Sequence, residues 1–324
     1  MKKILILSSI VSAFLIASCD KVENPFPPSA NVDLDTTIYP GTWADYVANE
    51  WPDFAALPDE NPNRNALIED YTGHNCNNCP AAATIAHGLH ETNPTRVFVA
   101  SIHASNTTSG TSSFQAVNIA AGYTVDFTNP HSLALGTYFG ITLPNSGFFG
   151  NPAGTVSRTN LAGEYFSASG SWSTRVNDVM NSSLKVKIKA KLNYYETPSH
   201  GFFLHTEIEK VDASITNDLG IVAWLIEDTL VAPQNVNNAL INDYVHRDIM
   251  RGSLDGLTWG QTLTSEMMTN GKYCVNYSYI LPDQLYPQNG TSTGHNPENM
   301  HVLIYVYDKT TLEIYQVIKK KIIP

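Results

Sequence analysis

Ala66-Leu-Ile-Glu-Asp-Tyr-Thr-Gly-His-Asn-Cys-Asn-Asn-Cys-Pro80 is the stretch whose reading decides the fold. A short apolar run with a polar end leads into a Cys-x-x-Cys pair, Cys76 and Cys79. An alanine-rich segment with helical spacing follows (Ala81, Ala82, Ala83, Ile85, Ala86, Leu89), and then a second apolar run, Val97 to Ile102. The order predicts strand, cysteine pair at a helix start, helix, strand. That placement carries a chemistry. Unpaired backbone N–H groups and the positive end of the helix dipole stabilise a thiolate on the first cysteine. The second cysteine lies a turn further in, where it can resolve a mixed disulfide. Asp70, six residues before Cys76, stands at the strand end, where a carboxylate would accept the proton of the resolving thiol.

This pattern is similar to the thioredoxin core in its spacing, with two departures: Asn75 rather than Trp precedes the first cysteine, and the spacer is Asn77-Asn78 rather than Gly-Pro. The fuller pattern resembles the Omp twenty-eight-related outer membrane lipoproteins of Bacteroidota. The resemblance rests on Glu69-Asp70-Tyr71-Thr72-Gly73 with Cys76 to Pro80, on Asn151-Pro152 through Arg158, and on Tyr244-Val-His246-Arg-Asp-Ile-Met-Arg251, and it covers the chain from about Ala66 onward. It implies an outer membrane location. A thioredoxin-like site also needs a cis-proline facing the cysteines, whose exposed backbone pairs with an extended substrate. Pro152 is the candidate, because Thr155-Val156-Ser157 reads as the strand after it and the family pattern implies it; Pro144 is the competitor. Phe148 and Phe149 either line a groove beside the cysteines or pack locally.

Residues 1–18 read as a lipoprotein signal peptide. Lys2 and Lys3 form a basic start, and Ile4 to Ala17 is an apolar run too short to span a bilayer. Leu15-Ile16-Ala17-Ser18-Cys19 resembles a bacterial lipobox, so Cys19 is expected to carry the lipid anchor, the membrane partner of the mature chain. Residues 19–61, with six prolines from Pro25 to Pro58, read as a tether and an irregular arm whose Trp43, Tyr46 and Trp51 dock on the body.

The mature chain, about 306 residues, suits two domains. The formal charge of −11, from 19 basic and 30 acidic residues, argues against a nucleic-acid role. The fold class predicted is α+β: a thioredoxin-like α/β domain over 62–183, then an antiparallel immunoglobulin-like β-sandwich over 184–324. In the first, Ala104 to Asn129 reads as a polar surface insertion, with helices at His131–Phe139 and Ser171–Asn181. In the second, Leu184, Val186, Ile188, Ala190 and Leu192 alternate with four lysines, a half-buried strand whose lysine face meets solvent. Phe202–Lys210, Gly220–Ile226, Lys272–Leu281, His301–Tyr307 and Leu312–Ile323 are the other strand-like runs. Cys274, in one of them, reads as a buried inert thiol.

No cofactor and no metal site are expected. His74, His87, His90 and His103 surround the motif, but none has the spacing of a zinc knuckle, and a charged His74 would lower the Cys76 pKa. His246, Arg247 and Arg251 read as loop or ligand residues between strands. Two functions fit the residues. One is a thiol–disulfide exchange protein acting on envelope proteins, with Cys76, Cys79, Asp70 and Pro152 as its site. The other is a non-enzymatic envelope binding protein with Cys76–Cys79 as a structural disulfide.

Overall fold

Strand β1 (Ala66–Thr72) is buried along its whole length, and the rest of the site is hung from it. The computed structural model describes residues 34–59, 61–282 and 297–323. The expected leader and Cys19 lie outside the described residues. After β1 come helix α2 (Cys79–Thr92), β2 (Val97–His103), α3 (Pro130–Thr137), β3 (Ala153–Val156), β4 (Phe166–Ser167) and α4 (Trp172–Asn181); a short α1 (Trp43–Asn49) precedes them. α2 forms because Pro80 sits in its first turn, where a missing N–H costs nothing, and alanines continue it. β1 and β2 run parallel, with Asp70 opposite Ser101 and Thr72 opposite His103. β3 returns antiparallel on the other side, with Gly154 opposite Asp70, and β4 follows it.

Strand alternation sorts the two faces. Ile68, Val97, Val99 and Val156 pack on one face with Ala82 and Ala86 of α2 and with Trp172 and Val176 of α4. Leu67, Tyr71 and Ala100 face the other way, towards Leu135, Phe139 and Phe148.

The second half contributes β5 (Val186–Tyr195), β6 (Gly201–Lys210), β7 (Leu219–Glu227), β8 (Leu230–Val236), β9 (Ala239–His246), β10 (Ile249–Ser253), β11 (Gln261–Thr262), β12 (Met268–Thr269), β13 (Lys272–Ile280), β14 (Met300–Asp308) and β15 (Ile314–Lys321). One four-stranded sheet has the order β12-β13-β6-β5. It faces β7, β14 and β15 across a core that includes Ile188, Leu204, Val275, Ile221, Leu225 and Ile304. β7 and β14 are covered on both faces, since Trp224 and Tyr305 on their reverse side join the core of Tyr71 and Phe139. Burial on both sides explains why these strands read as continuous apolar runs without alternation.

The two halves share one sheet. Its order runs β15-β14-β7-β10-β2-β1-β3-β4, with β11 added alongside β7. The join is β10, parallel to β2 through Ile249 opposite Ser101 and antiparallel to β7 through Ile249 opposite Glu227. The chain is thus a mixed α+β protein with several sheets and few helices.

Three details differ from the sequence reading. The polar insertion is not wholly superficial: Tyr123, Val125 and Phe127 from it are buried, and Phe127 packs with Ile249 and Leu230. The lysine face of β5 is partly covered by the N-terminal arm. Lys189 Nζ donates to the carbonyls of Phe54 and Leu57 at 2.8 Å each, and Lys187 pairs with Asp59 at 2.7 Å. The arm docks on this second-half sheet: Trp43 stacks on Tyr46 at 4.9 Å, and the Tyr46 hydroxyl shares a 2.6 Å hydrogen bond with His205. Strands β8, β9 and β10 have no counterpart among the runs picked out from the sequence, and all three bear on the site.

Candidate functional site

Glu69 and Asp70 are adjacent on β1, so the pleat sends them to opposite faces. Glu69 is fully buried and satisfied. It accepts two hydrogen bonds from Arg158, at 2.8 and 2.6 Å, and one from the Thr155 hydroxyl at 2.6 Å. Arg158 also donates to the Tyr305 hydroxyl of β14 at 3.0 Å and lies over the rings of Phe139 and Trp259. Burial works against the charge of Arg158, but Glu69 beside it holds the guanidinium charged.

Asp70 has none of this. Its side chain is buried, and neither carboxyl oxygen has a hydrogen-bond partner among the described residues. Desolvation pushes its pKa up to about 7. It faces a cavity of about 430 Å³ that Cys79, Thr84, His103, Tyr244 and His246 also line. The cavity lies between α2, the floor strands β1, β2 and β10, and the edge of β9. Register explains the grouping, because Asp70, Ser101 and Ile249 form one row across three strands.

His103 enters from the end of β2. Both its ring nitrogens lack partners among the described residues, and its ring stacks on Phe127 at 4.6 Å. Burial, then the neighbouring His246, pushes its pKa well below the ordinary value. Burial also lowers His246, to about 4. Both imidazoles are therefore neutral at pH 7. His74 is lowered by burial as well, so it does not supply the positive charge considered for Cys76; its Nε2 lies 3.0 Å from the Ala116 carbonyl.

Cys76 and Cys79 form a disulfide at the start of α2. The two residues are 2 % and 1 % exposed, respectively, so neither sulfur is open to bulk solvent. Part of the cover is the β8–β9 hairpin. The Asn235 N–H donates to the His74 carbonyl at 2.7 Å, and Gln234 Nε2 donates to the carbonyls of Cys76 and Gly73 at 3.3 and 3.4 Å. At the hairpin turn, the Asn238 N–H donates to Asn77 Oδ1 at 2.6 Å. The Asn-Asn spacer, a departure from the thioredoxin pattern, thus supplies the acceptor that seats the hairpin.

Pro152 follows a cis peptide bond from Asn151 and immediately precedes β3, at the end of the sheet from which the cysteine loop leaves β1. Phe148 is core, stacked on Phe166 at 4.5 Å, whereas Phe149 is exposed. Among the other residues singled out, His87 pairs with Glu91 at 3.1 Å, and His90 Nδ1 lies 2.6 Å from the Val97 carbonyl. Arg251 lies 3.2 Å from Glu227 on the neighbouring strand, and Arg247 lies 3.6 Å from Asp228. Among the described residues no group of three or more His, Cys, Asp or Glu is placed to hold a metal ion. Cys274 is a free, buried thiol on β13, opposite Glu207, and burial raises its pKa to about 11.

Sequence reading missed the hairpin and with it the convergence of His103 and His246. The available signal was Asn237-Asn238 between two apolar-containing runs, a pair suited to a tight hairpin turn. Both residues have positive φ, 52° and 63°. Pro233 within the first run argued against a strand.

Fold and site define a mixed α+β protein with a shielded Cys-x-x-Cys disulfide at a helix start, beside a cavity holding an unpaired acid. The sequence profile of the family described as outer membrane protein Omp28 matches residues 144–324, and the chain belongs to that family. Its place is accordingly the outer membrane; no helix among the described residues is long and apolar enough to cross a membrane. No curated protein matches the chain. Among solved structures, HBP35 of Porphyromonas gingivalis is similar over 80 % of this chain and 75 % of its own, at 17 % identity and a TM-score of 0.57. A domain of the outer membrane lipoprotein Omp28 from the same organism matches over 43 % of this chain and 88 % of its own, at 21 % identity and a TM-score of 0.29.

Proposed function

We propose that the Cys76–Cys79 pair performs thiol–disulfide exchange with thiols of the cell envelope, on a chain anchored through Cys19. The observation that carries this reading is Asp70, a buried acid without a partner that lines the same cavity as Cys79. Burying an unpaired carboxyl costs stability, and a proton-transfer role beside a resolving cysteine accounts for keeping it. In the reducing direction, the Cys76 thiolate attacks a substrate disulfide and releases one substrate thiolate. Cys79 gives its proton to Asp70 and attacks the Cys76 sulfur. The second substrate thiolate leaves, Cys76–Cys79 is oxidised, and the substrate has gained two electrons. Pro152 would position the substrate chain.

The unit over 62–183 is best read as thioredoxin-like. The order β2-β1-β3-β4, with α2 and α4 packed on one face, supports it. The unit over 184–324 is best read as an immunoglobulin-like sandwich. If β5, β6 and β7 are strands A, B and C, then β12-β13-β6-β5 follows the order D-E-B-A, and β15-β14-β7 the order G-F-C. This half would serve as a partner-docking module.

A second reading, a binding protein stapled by a structural disulfide, is favoured by one observation: both cysteines are covered. The reduction potential separates the two. Exchange requires a value between about −120 and −270 mV, together with mixed disulfides trapped by Cys79→Ser. A value below about −300 mV with nothing trapped would assign the pair to structure.

A further inference from the structure

The disulfide is covered on its loop side, and on the other side Cys79 borders the cavity. On the loop side, the groups an extended polypeptide would pair with are already engaged. The carbonyls of Gly73, His74 and Cys76 accept from Gln234 and Asn235, and the Asn77 side chain accepts from the hairpin turn. Strand addition by a protein substrate needs free backbone acceptors of this kind. On the other side, Cys79 but not Cys76 lines the cavity, with Asp70 beside it and Pro80, Val245 and Ile249 supplying apolar wall. A cavity of about 430 Å³ has the size of a small-molecule site and is too small for a protein loop.

We infer that, with the hairpin seated, the disulfide exchanges with low-molecular-weight thiols that enter this cavity and attack Cys79, and that protein thiols reach it only after the hairpin leaves the Asn77 loop. The inference rests on the reading that the pair exchanges. It adds the substrate class admitted in the closed state and the element that selects it.

The step balances as follows. A small thiol gives its proton to Asp70 and, as thiolate, attacks Cys79 Sγ. The Cys79–Cys76 bond breaks, and Cys76 leaves as a thiolate favoured at the helix start. A second small thiolate attacks the ligand sulfur of the mixed disulfide, and the small disulfide departs. Cys79 takes the proton from Asp70, and Cys76 takes the one released by the second thiol. Two small thiols are oxidised and the pair gains two electrons.

The test uses oxidised protein starting after Cys19, reduced either by mercaptoethanol or by reduced thioredoxin, with rates read by acid quench and alkylation. Two variants are compared with the parent. Asn77→Ala/Asn235→Ala removes hairpin contacts outside the cavity lining, and Thr84→Trp narrows the cavity from an exposed position on α2. The unlatched variant is expected to speed reduction by thioredoxin about tenfold, as the loss of two or three hydrogen bonds raises the open population. Its mercaptoethanol rate should stay within about twofold of the parent, because that route does not need opening. Thr84→Trp is expected to slow mercaptoethanol about tenfold by blocking the site. Equal acceleration of both reductants by the unlatched variant, or an unchanged mercaptoethanol rate in Thr84→Trp, overturns the inference while leaving exchange intact. Failure of both reductants on all three proteins sinks the exchange reading and this inference with it.

Discussion

At the scale of single residues, Glu69 and Asp70 show how one peptide unit separates two acids. Glu69 finds Arg158, whereas Asp70 finds a cavity. The consequence for Asp70 is a reversed pH dependence. Its carboxyl titrates near 3.8 when unfolded and near 7 when buried. Between those values the folded chain holds a proton that the unfolded chain has released, so stability falls as pH rises from about 4 to about 7 and is flat above. Asp70→Asn removes this dependence. The variant is expected to gain on the parent by up to about 4 kcal/mol between pH 4 and pH 8. Urea unfolding of the oxidised proteins at several pH values checks it; a difference that does not vary with pH would rule out the raised carboxyl. His103 and His246 pull the other way, since their lowered pKa values cost stability below about pH 6.5, but they act on parent and variant alike and cancel in the difference. Asp70 was legible from its distance to Cys76 and its place at a strand end. The histidines were not, because His103 and His246 come from strands far apart in sequence that only the sheet order brings together.

At the scale of elements, legibility followed periodicity. β1, α2 and β2 were readable because an apolar run, a helical spacing and another apolar run flank the cysteines. β5 was readable from strict alternation. The β8–β9 hairpin lacked both signals: Pro233 interrupts β8, and β9 is largely exposed, with little apolar periodicity to report. Its identity lies in the turn, where Asn237 and Asn238 both hold left-handed backbone. Asparagine tolerates this conformation, but a β-branched residue there costs roughly 1–2 kcal/mol. Asn238→Val is therefore expected to loosen the hairpin alone. In hydrogen exchange, amides of β8 and β9 should lose protection while those of β5 and β6 keep theirs. Equal loss in both places would show that the turn supports the whole molecule rather than the hairpin.

For the molecule as a whole, the two halves read from the sequence share a sheet and a set of buried polar contacts. Arg64 donates to Glu313 at 2.7 Å and to the Ile314 carbonyl at 2.8 Å, and Arg158 ties Glu69 of β1 to Tyr305 of β14. No sequence pattern announced this join. β10 is only five residues long, and Arg158 is separated from its partners by scores of residues. Arg158→Met would leave the Glu69 carboxylate buried and uncompensated, at a cost of about 3–5 kcal/mol. Because Arg158 touches both halves, the change should move one joint unfolding transition, with fluorescence and far-ultraviolet circular dichroism coincident. Separate transitions, only one of them shifted, would mean that the shared sheet does not couple the halves. Cys274 gives this molecule a second, independent clock. Its thiol is covered on β13 and stays protonated at neutral pH, so an alkylating reagent captures that sulfur only when the four-stranded sheet itself opens. Reduction at Cys76–Cys79 instead counts events at the hairpin and cavity. One sample read by mass spectrometry therefore reports local and global opening side by side, each on its own sulfur.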